Sequence, residues 1–153
     1  MAAALRFLDD DSRTRVGRVS SLYRTPPWGK TDQPDFINAA AEIATTRDAR
    51  ELLELCLDAE RRLKRVRAER WGPRLIDLDI LTFGDSSVRE PGLELPHPRL
   101  SERAFVLVPL LELAPDLAIG GRSVRAMLDA IDGSGIEKLP GGDGWRKPGS
   151  ASA

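Results

Sequence analysis

Apolar residues recur along this chain at two periods, and the periods predict its elements. From Thr46 to about Leu63, the residues Ala49, Leu52, Leu53, Cys56, Ala59 and Leu63 fall at helical spacing. Thr46 stands where it can cap that helix, with Asp48 in the first turn. Arg61, Arg62, Lys64 and Arg65 load its C-terminal end, where cations suit the helix dipole. Residues 1–8 read as the end of an amphipathic helix, with Ala4, Leu5 and Leu8 on one side. Residues 16–23 are rich in β-formers and predict a strand. Residues 36–45 alternate as a second, Phe36, Asn38 and Ala40 on one face, Ile37, Ala39 and Ala41 on the other. Between them, Thr25-Pro26-Pro27-Trp28-Gly29 and the residues to Asp35 cannot be regular, because two prolines fix φ and remove donors. A loop of about ten residues in a compact domain is often functional.

Gly72-Pro73 breaks the chain before a third strand at 75–83, which Gly84-Asp85-Ser86 turns. Residues 91–98 are extended and proline-rich. Ser101 stands where it can cap a helix from Glu102 to about Leu113, and 124–131 predict a shorter helix. No repeat or internal linker occurs. The expectation is one domain over 1–139 and a disordered tail over 140–153, where Gly, Pro, Ser and charge dominate. The order strand, strand, helix, strand, helix predicts an α+β fold, an antiparallel sheet with helices on one face.

The third strand carries the most informative residues, in Leu75-Ile76-Asp77-Leu78-Asp79-Ile80-Leu81. Strand side chains alternate, so Asp77 and Asp79 share one face while Ile76, Leu78 and Ile80 fill the other. Aspartate is depleted in strands, and two on one face repel each other unless a cation neutralises them. Their Cα atoms would lie roughly 6.5–7 Å apart, a span that suits one or two hard divalent ions. A solvated sheet face is the competing reading, and Asp-x-Asp alone does not decide. The run from Arg61 to Arg74 shifts the balance, because its arginines lead onto the aspartates. Mg²⁺ usually sits between a few carboxylates and substrate phosphates, and arginines present forked donors to phosphate oxygens. Together these are the parts phosphoryl transfer needs. There is no Gly-x-x-x-x-Gly-Lys-Ser/Thr phosphate loop.

Composition narrows the classes. The 153 residues are 41% hydrophobic and 31% charged, a globular balance. Lys plus Arg is 23 and Asp plus Glu is 24, a net charge of −1, which argues against a coat for nucleic acid or an anionic membrane. Cys56 is the single cysteine, so no intrachain disulfide can form, and its place on the apolar helix face reads as core. His97 is the single histidine, which excludes a His-rich zinc site. No stretch approaches the ~18 consecutive apolar residues of a spanning helix. The opening residues lack a basic n-region and run into Asp9-Asp10-Asp11. The expectation is a cytoplasmic protein.

Arg70-Trp71-Gly72-Pro73-Arg74-Leu75-Ile76-Asp77-Leu78-Asp79-Ile80-Leu81 closely resembles the signature of the 6-hydroxymethyl-7,8-dihydropterin pyrophosphokinase family of the folate pathway. Two further segments agree in order and spacing. One is Ser20-Ser21-Leu22-Tyr23-Arg24-Thr25-Pro26-Pro27, continuing to Asp32-Gln33-Pro34-Asp35-Phe36-Ile37-Asn38. The other is Leu95-Pro96-His97-Pro98 with Arg103-Ala104-Phe105 and Pro109-Leu110. The resemblance implies a ferredoxin-like α+β fold and transfer of pyrophosphate from ATP to the pterin hydroxymethyl group, releasing AMP. It implies that Asp77 and Asp79 hold two Mg²⁺ ions along the triphosphate. Arg65 and Arg67 match mobile-loop arginines that close on the phosphates, and Arg74 a phosphate-side arginine. Glu60, Trp71, Ile80, His97 and Arg103 match the ATP side. Phe36 and Phe105 match two rings that sandwich the pterin. Asn38 matches the amide that reads its edge, beside Thr25, Pro26 and Trp28. The expected partners are ATP and the pterin, without nucleic acid or membrane, and the expected state is a monomer.

Two departures from the family pattern stand out. The family begins with a strand and a Gly-Ser-Asn-type loop before its first helix, and this chain opens within that helix, so the expected sheet lacks its first strand. The loop between Arg67 and Trp71 is one residue shorter. Two other readings compete: a nucleic-acid-binding α+β module using residues 61–74 with Trp71 for stacking, and an inactive pterin-binding remnant. The aspartates oppose the former, since they repel a phosphate backbone.

Overall fold

The computed structural model describes residues 1–25, 36–70 and 77–140, and for 65–70 the backbone alone. Its elements are α1 (Ala2–Asp9), β1 (Thr14–Val19), β2 (Tyr23–Thr25), β3 (Phe36–Asn38), β4 (Ala41–Thr45), α2 (Ala49–Arg70), β5 (Val88–Glu90), β6 (Leu93–Leu95), α3 (Ala104–Leu113), β7 (Ala118–Ile119), β8 (Arg122–Ser123), α4 (Val124–Asp129) and β9 (Glu137–Lys138). Helices and antiparallel pairings make this an α+β fold, as expected. The described residues fall into two compact units, one of 1–16, 43–70 and 77–97, the other of 17–25, 36–42 and 98–140. Among the described residues no helix is long and apolar enough to cross a membrane.

In the first unit α1 packs on α2. The apolar spacing makes both helices one-sided: Ala4, Leu5 and Leu8 are buried on α1, and Leu52, Cys56 and Ala59 on α2. The entry to α2 is a capping box. Asp48 Oδ1 accepts from Glu51 N at 2.8 Å, and Glu51 Oε1 accepts from Asp48 N at 3.0 Å. Asp48 is therefore the cap, and the expected cap, Thr46, is used elsewhere: its Oγ1 and carbonyl accept from the Arg13 guanidinium at 3.1 and 2.8 Å. Beside them Arg47 donates two hydrogen bonds to Asp11, at 2.9 and 2.7 Å. These bonds, with one from Thr14, hold the Asp11 carboxyl well below the usual carboxylate range. A second cluster joins Ala49, Leu93 and Leu95 with Leu53, Ile80, Phe83 and Val88.

In the second unit β2 lies between β3 and β9, antiparallel to both. Helix α3 packs on α4 and also touches β2 and β3. Leu107 and Val124 are fully buried, with Leu110, Leu113 and Met127 close to it. Ser123 caps α4, its Oγ accepting from Ala126 N at 3.1 Å. Pro109 lies inside α3 and is also buried.

Four expectations change. The strand 16–23 is two strands, β1 and β2, and the strand 36–45 is two, β3 and β4. Ser20 sits at the break, 1% exposed. Its N–H donates to Ala40 O at 2.8 Å, its Oγ accepts from Ala40 N at 2.8 Å, and its hydroxyl donates to Ser21 O at 2.9 Å. A side-chain oxygen here takes the place of a ladder acceptor, so the strand bends without stranding a buried N–H. Second, α2 runs to Arg70 rather than to about Leu63, so Arg61, Arg62 and Lys64 lie within the helix, as does the main chain of Arg65 and Arg67, which were expected in a loop. Arg61 and Arg62 both face Asp58, one turn earlier, at 3.9 and 3.7 Å. Third, residues 77–83 join no ladder. Alternation reports which way side chains face, whereas a ladder needs a second edge, and here main-chain groups pair with Glu60 and His97 instead. Fourth, the expected helix capped by Ser101 is a short 3₁₀ turn, Leu100–Glu102, followed by α3 with Arg103 at its cap. The proline-rich 91–98 contains β6 and, with β5, forms a hairpin turned at Pro91-Gly92, where Gly92 has φ 76°. The loop after Thr25, residues 75–76 and the tail beyond 140 lie outside the described residues.

Candidate active site

The first unit carries the aspartates. Asp77 and Asp79 are exposed while Leu78 and Ile80 are partly covered, so the two-residue period holds even without a ladder. Ile80 packs on the Ala49, Leu93 and Leu95 cluster, which anchors the apolar side. Two polar contacts hold the main chain. Leu78 N donates to Glu60 Oε2 at 2.7 Å, and His97 N donates to Leu81 O at 2.9 Å. Cys56, one helical turn before Glu60, is a buried free thiol. Burial first, then the charges of Glu60 and Asp79, push it up to about 11. It is a core residue, as its spacing predicted.

The donor set tests whether a metal fits. Among the described residues no group of three or more His, Cys, Asp or Glu is placed to hold one. Asp77 and Asp79 offer two exposed hard carboxylates. That suits Mg²⁺, which keeps several waters and takes its remaining oxygens from substrate phosphates rather than from an all-protein cage.

The second unit carries the residues expected around the pterin. Thr25 is opposite Phe36 in the β2–β3 register, and Tyr23 is opposite Asn38. Asn38 Nδ2 donates to Thr25 Oγ1 at 3.3 Å. Phe36 is 55% exposed, which removes core packing as its explanation. Phe105 lies in the first turn of α3, half-buried, with the Arg103 guanidinium 5.7 Å from its ring centroid, within cation–π range. The structure thus joins Arg103, expected on the ATP side, to a ring expected on the pterin side. Pro26, Trp28, Trp71 and Arg74, and the side chains of Arg65 and Arg67, lie outside the described residues.

Sequence reasoning missed Glu112. Its carboxylate accepts from Ser21 N at 2.8 Å, from Ser21 Oγ at 3.2 Å and from the Tyr23 hydroxyl, with Lys138 Nζ 3.7 Å away. Burial opposes its charge, but the bonds from Tyr23 and Ser21 and the Lys138 charge outweigh that and hold its carboxyl below the ordinary value. Burial, then Glu112, pushes the Tyr23 hydroxyl up to about 12. One acid thus ties α3, β2 and β9. The signal was available: Glu112 is the lone charge in the apolar helix Ala104–Leu113.

Two exposed carboxylates one residue apart can neutralise a hard cation carried on phosphate oxygens, the chemistry of phosphoryl-transfer enzymes. Comparison with known proteins is specific. Residues 1–115 match the family described as 7,8-dihydro-6-hydroxymethylpterin-pyrophosphokinase. A 2-amino-4-hydroxy-6-hydroxymethyldihydropteridine pyrophosphokinase of Methylorubrum extorquens is 51% identical over 139 residues, 91% of this chain and 88% of the relative. A protein of the same name from Pseudomonas aeruginosa is 44% identical over 91% of this chain and 86% of its own. One from Bacillus subtilis is 46% identical over 72% of this chain and 66% of its own. The chain belongs to the 7,8-dihydro-6-hydroxymethylpterin-pyrophosphokinase family.

Proposed function

We propose that this chain transfers pyrophosphate from ATP to 6-hydroxymethyl-7,8-dihydropterin, giving AMP and the pterin diphosphate, as a 2-amino-4-hydroxy-6-hydroxymethyldihydropteridine pyrophosphokinase of folate biosynthesis. The observation that carries this reading is the outward-facing pair Asp77 and Asp79 in a chain 51% identical to a pyrophosphokinase of that name. The pterin hydroxymethyl oxygen bonds to the β-phosphorus of ATP. The bond from that phosphorus to the α,β-bridging oxygen breaks, AMP leaves, and the hydroxyl proton passes to solvent. When bound, two Mg²⁺ ions supply neutralisation of the triphosphate charge, with Asp77 and Asp79 as their protein ligands. Arg65, Arg67 and Arg74 add forked donors to phosphate oxygens. Trp71, Ile80, His97 and Arg103 line the nucleotide side.

The exposed ring of Phe36 and the ring of Phe105 stack on the flat pterin, a geometry aromatic faces favour. Asn38 reads the polar edge with both donor and acceptor atoms, beside Thr25, Pro26 and Trp28. Residues 1–139 act as a single pyrophosphokinase domain, a cytoplasmic monomer that engages neither nucleic acid nor membrane. The test is product identity. ATP, the pterin and Mg²⁺ together yield AMP and pterin diphosphate in equal amounts, and omission of any one abolishes AMP. ADP as the nucleotide product overturns the reading.

A further inference from the structure

We propose that Glu60 is a positioning residue that braces the main chain between the two aspartates, so that Asp77 and Asp79 face outward together. The Glu60 carboxylate accepts from Leu78 N at 2.7 Å, the short distance of a charge-assisted bond. Leu78 is the residue between the two carboxylates. A one-residue slip or rotation there would turn them toward the apolar side. In a sheet the ladder would prevent this, but residues 77–83 join no ladder. Among the described residues the segment is held instead at Leu78 by Glu60, at Ile80 and Phe83 by the apolar cluster, and at Leu81 by the amide of His97.

The brace has a firm footing. Glu60 is one turn beyond buried Cys56 and follows fully buried Ala59 on α2, a helix whose start is fixed by the Asp48–Glu51 box. The brace stands in place of the nucleotide-side contact that family resemblance implies for Glu60, since its carboxylate is taken by the Leu78 amide. It rests on the function proposed above only for what the aspartates bind.

Glu60→Gln keeps an oxygen acceptor for Leu78 N, and Glu60→Ala removes it. Amide hydrogen exchange in metal-free, nucleotide-free protein reads the brace directly. Exchange at Leu78 should speed by about tenfold or more in Glu60→Ala, with Glu60→Gln close to the unsubstituted chain. Calorimetry then separates bracing from nucleotide contact. AMP without metal should bind all three alike. Mg²⁺ with α,β-methylene-ATP should bind Glu60→Ala about tenfold more weakly, with most affinity retained in Glu60→Gln. Unchanged exchange at Leu78 in Glu60→Ala, or AMP affinity falling in parallel with that of the magnesium complex, overturns the proposal. If the unsubstituted chain binds no magnesium complex, the proposed function falls, and the Leu78 amide still decides the brace.

Discussion

Ser20→Ala tests how the bent hairpin is held. Ser20 is 1% exposed and Ala40 8%, so when the hydroxyl goes no water replaces it at Ala40 N. A buried donor left unsatisfied costs about 1–3 kcal/mol, and because Ser21 is only partly buried, water can replace the lost bond at its carbonyl, so the change stays within that range. For a chain of this length each kcal/mol moves the melting temperature by about 2–4 °C, so the expected fall is about 2–12 °C. The damage is local as well. The bend leads directly into β2, and its partner segment into β3, which carry Thr25, Phe36 and Asn38. Thermal denaturation and amide exchange should therefore be measured together, with Ser21→Ala as control, since its hydroxyl makes an exposed 3.2 Å bond to Glu112. Exchange at Ala40 should accelerate in Ser20→Ala and stay unchanged in the control. A melting temperature within about 1 °C of the parent, with Ala40 protection intact, would refute the reasoning.

Four further outcomes are expected. Asp77→Asn and Asp79→Asn should each lower turnover well beyond tenfold at saturating Mg²⁺, because several kcal/mol of charge stabilisation is lost, while circular dichroism shows an unchanged fold. Phe36→Leu should weaken pterin binding with little change in melting temperature, since the ring is 55% exposed; Phe105→Leu should do the same at a larger stability cost, and calorimetry with pterin and ATP analogue separates the two effects. Asp11 has its carboxyl depressed first by the bonds from Arg47; a depressed carboxyl stabilises the fold above its ordinary range, near pH ~4, and that stability is lost as pH falls toward the folded value, so Asp11→Asn should flatten the acid limb of urea denaturation. Cys56 should resist aromatic disulfide reagents at neutral pH until the chain unfolds, because burial and nearby charge push its thiol up to about 11; rapid labelling of the native protein would contradict that.

What could be read from the sequence follows from the range over which each signal acts. The facing of Asp77 and Asp79 was legible because side-chain alternation is local. The lack of a ladder there was not, because pairing depends on residues distant in sequence. The α2 cap was legible in principle: Thr46 and Asp48 are both cap formers, and Glu51 three residues after Asp48 marks the capping box. The continuation of α2 to Arg70 was obscured by a dense run of cations, which suits a helix end by its dipole but also suits a helix interior with Asp58 one turn away. Ser20 and Glu60 carried no sequence mark of their role, because each acts on a backbone amide 20 or 18 residues away.

Pro109 gives α3 an uneven stiffness. Proline has no N–H, so the carbonyl of Phe105 loses its partner four residues on, in a helix of 10 residues. At the far end Glu112 is clamped by Ser21, Tyr23 and Lys138. The helix is thus fastened at its tail and missing a rung beneath the ring at its head. Phe105 thus stands across the missing bond from the clamp that fixes the other end of the helix, so its position is set by the first turn on Arg103 rather than by the Glu112 anchor.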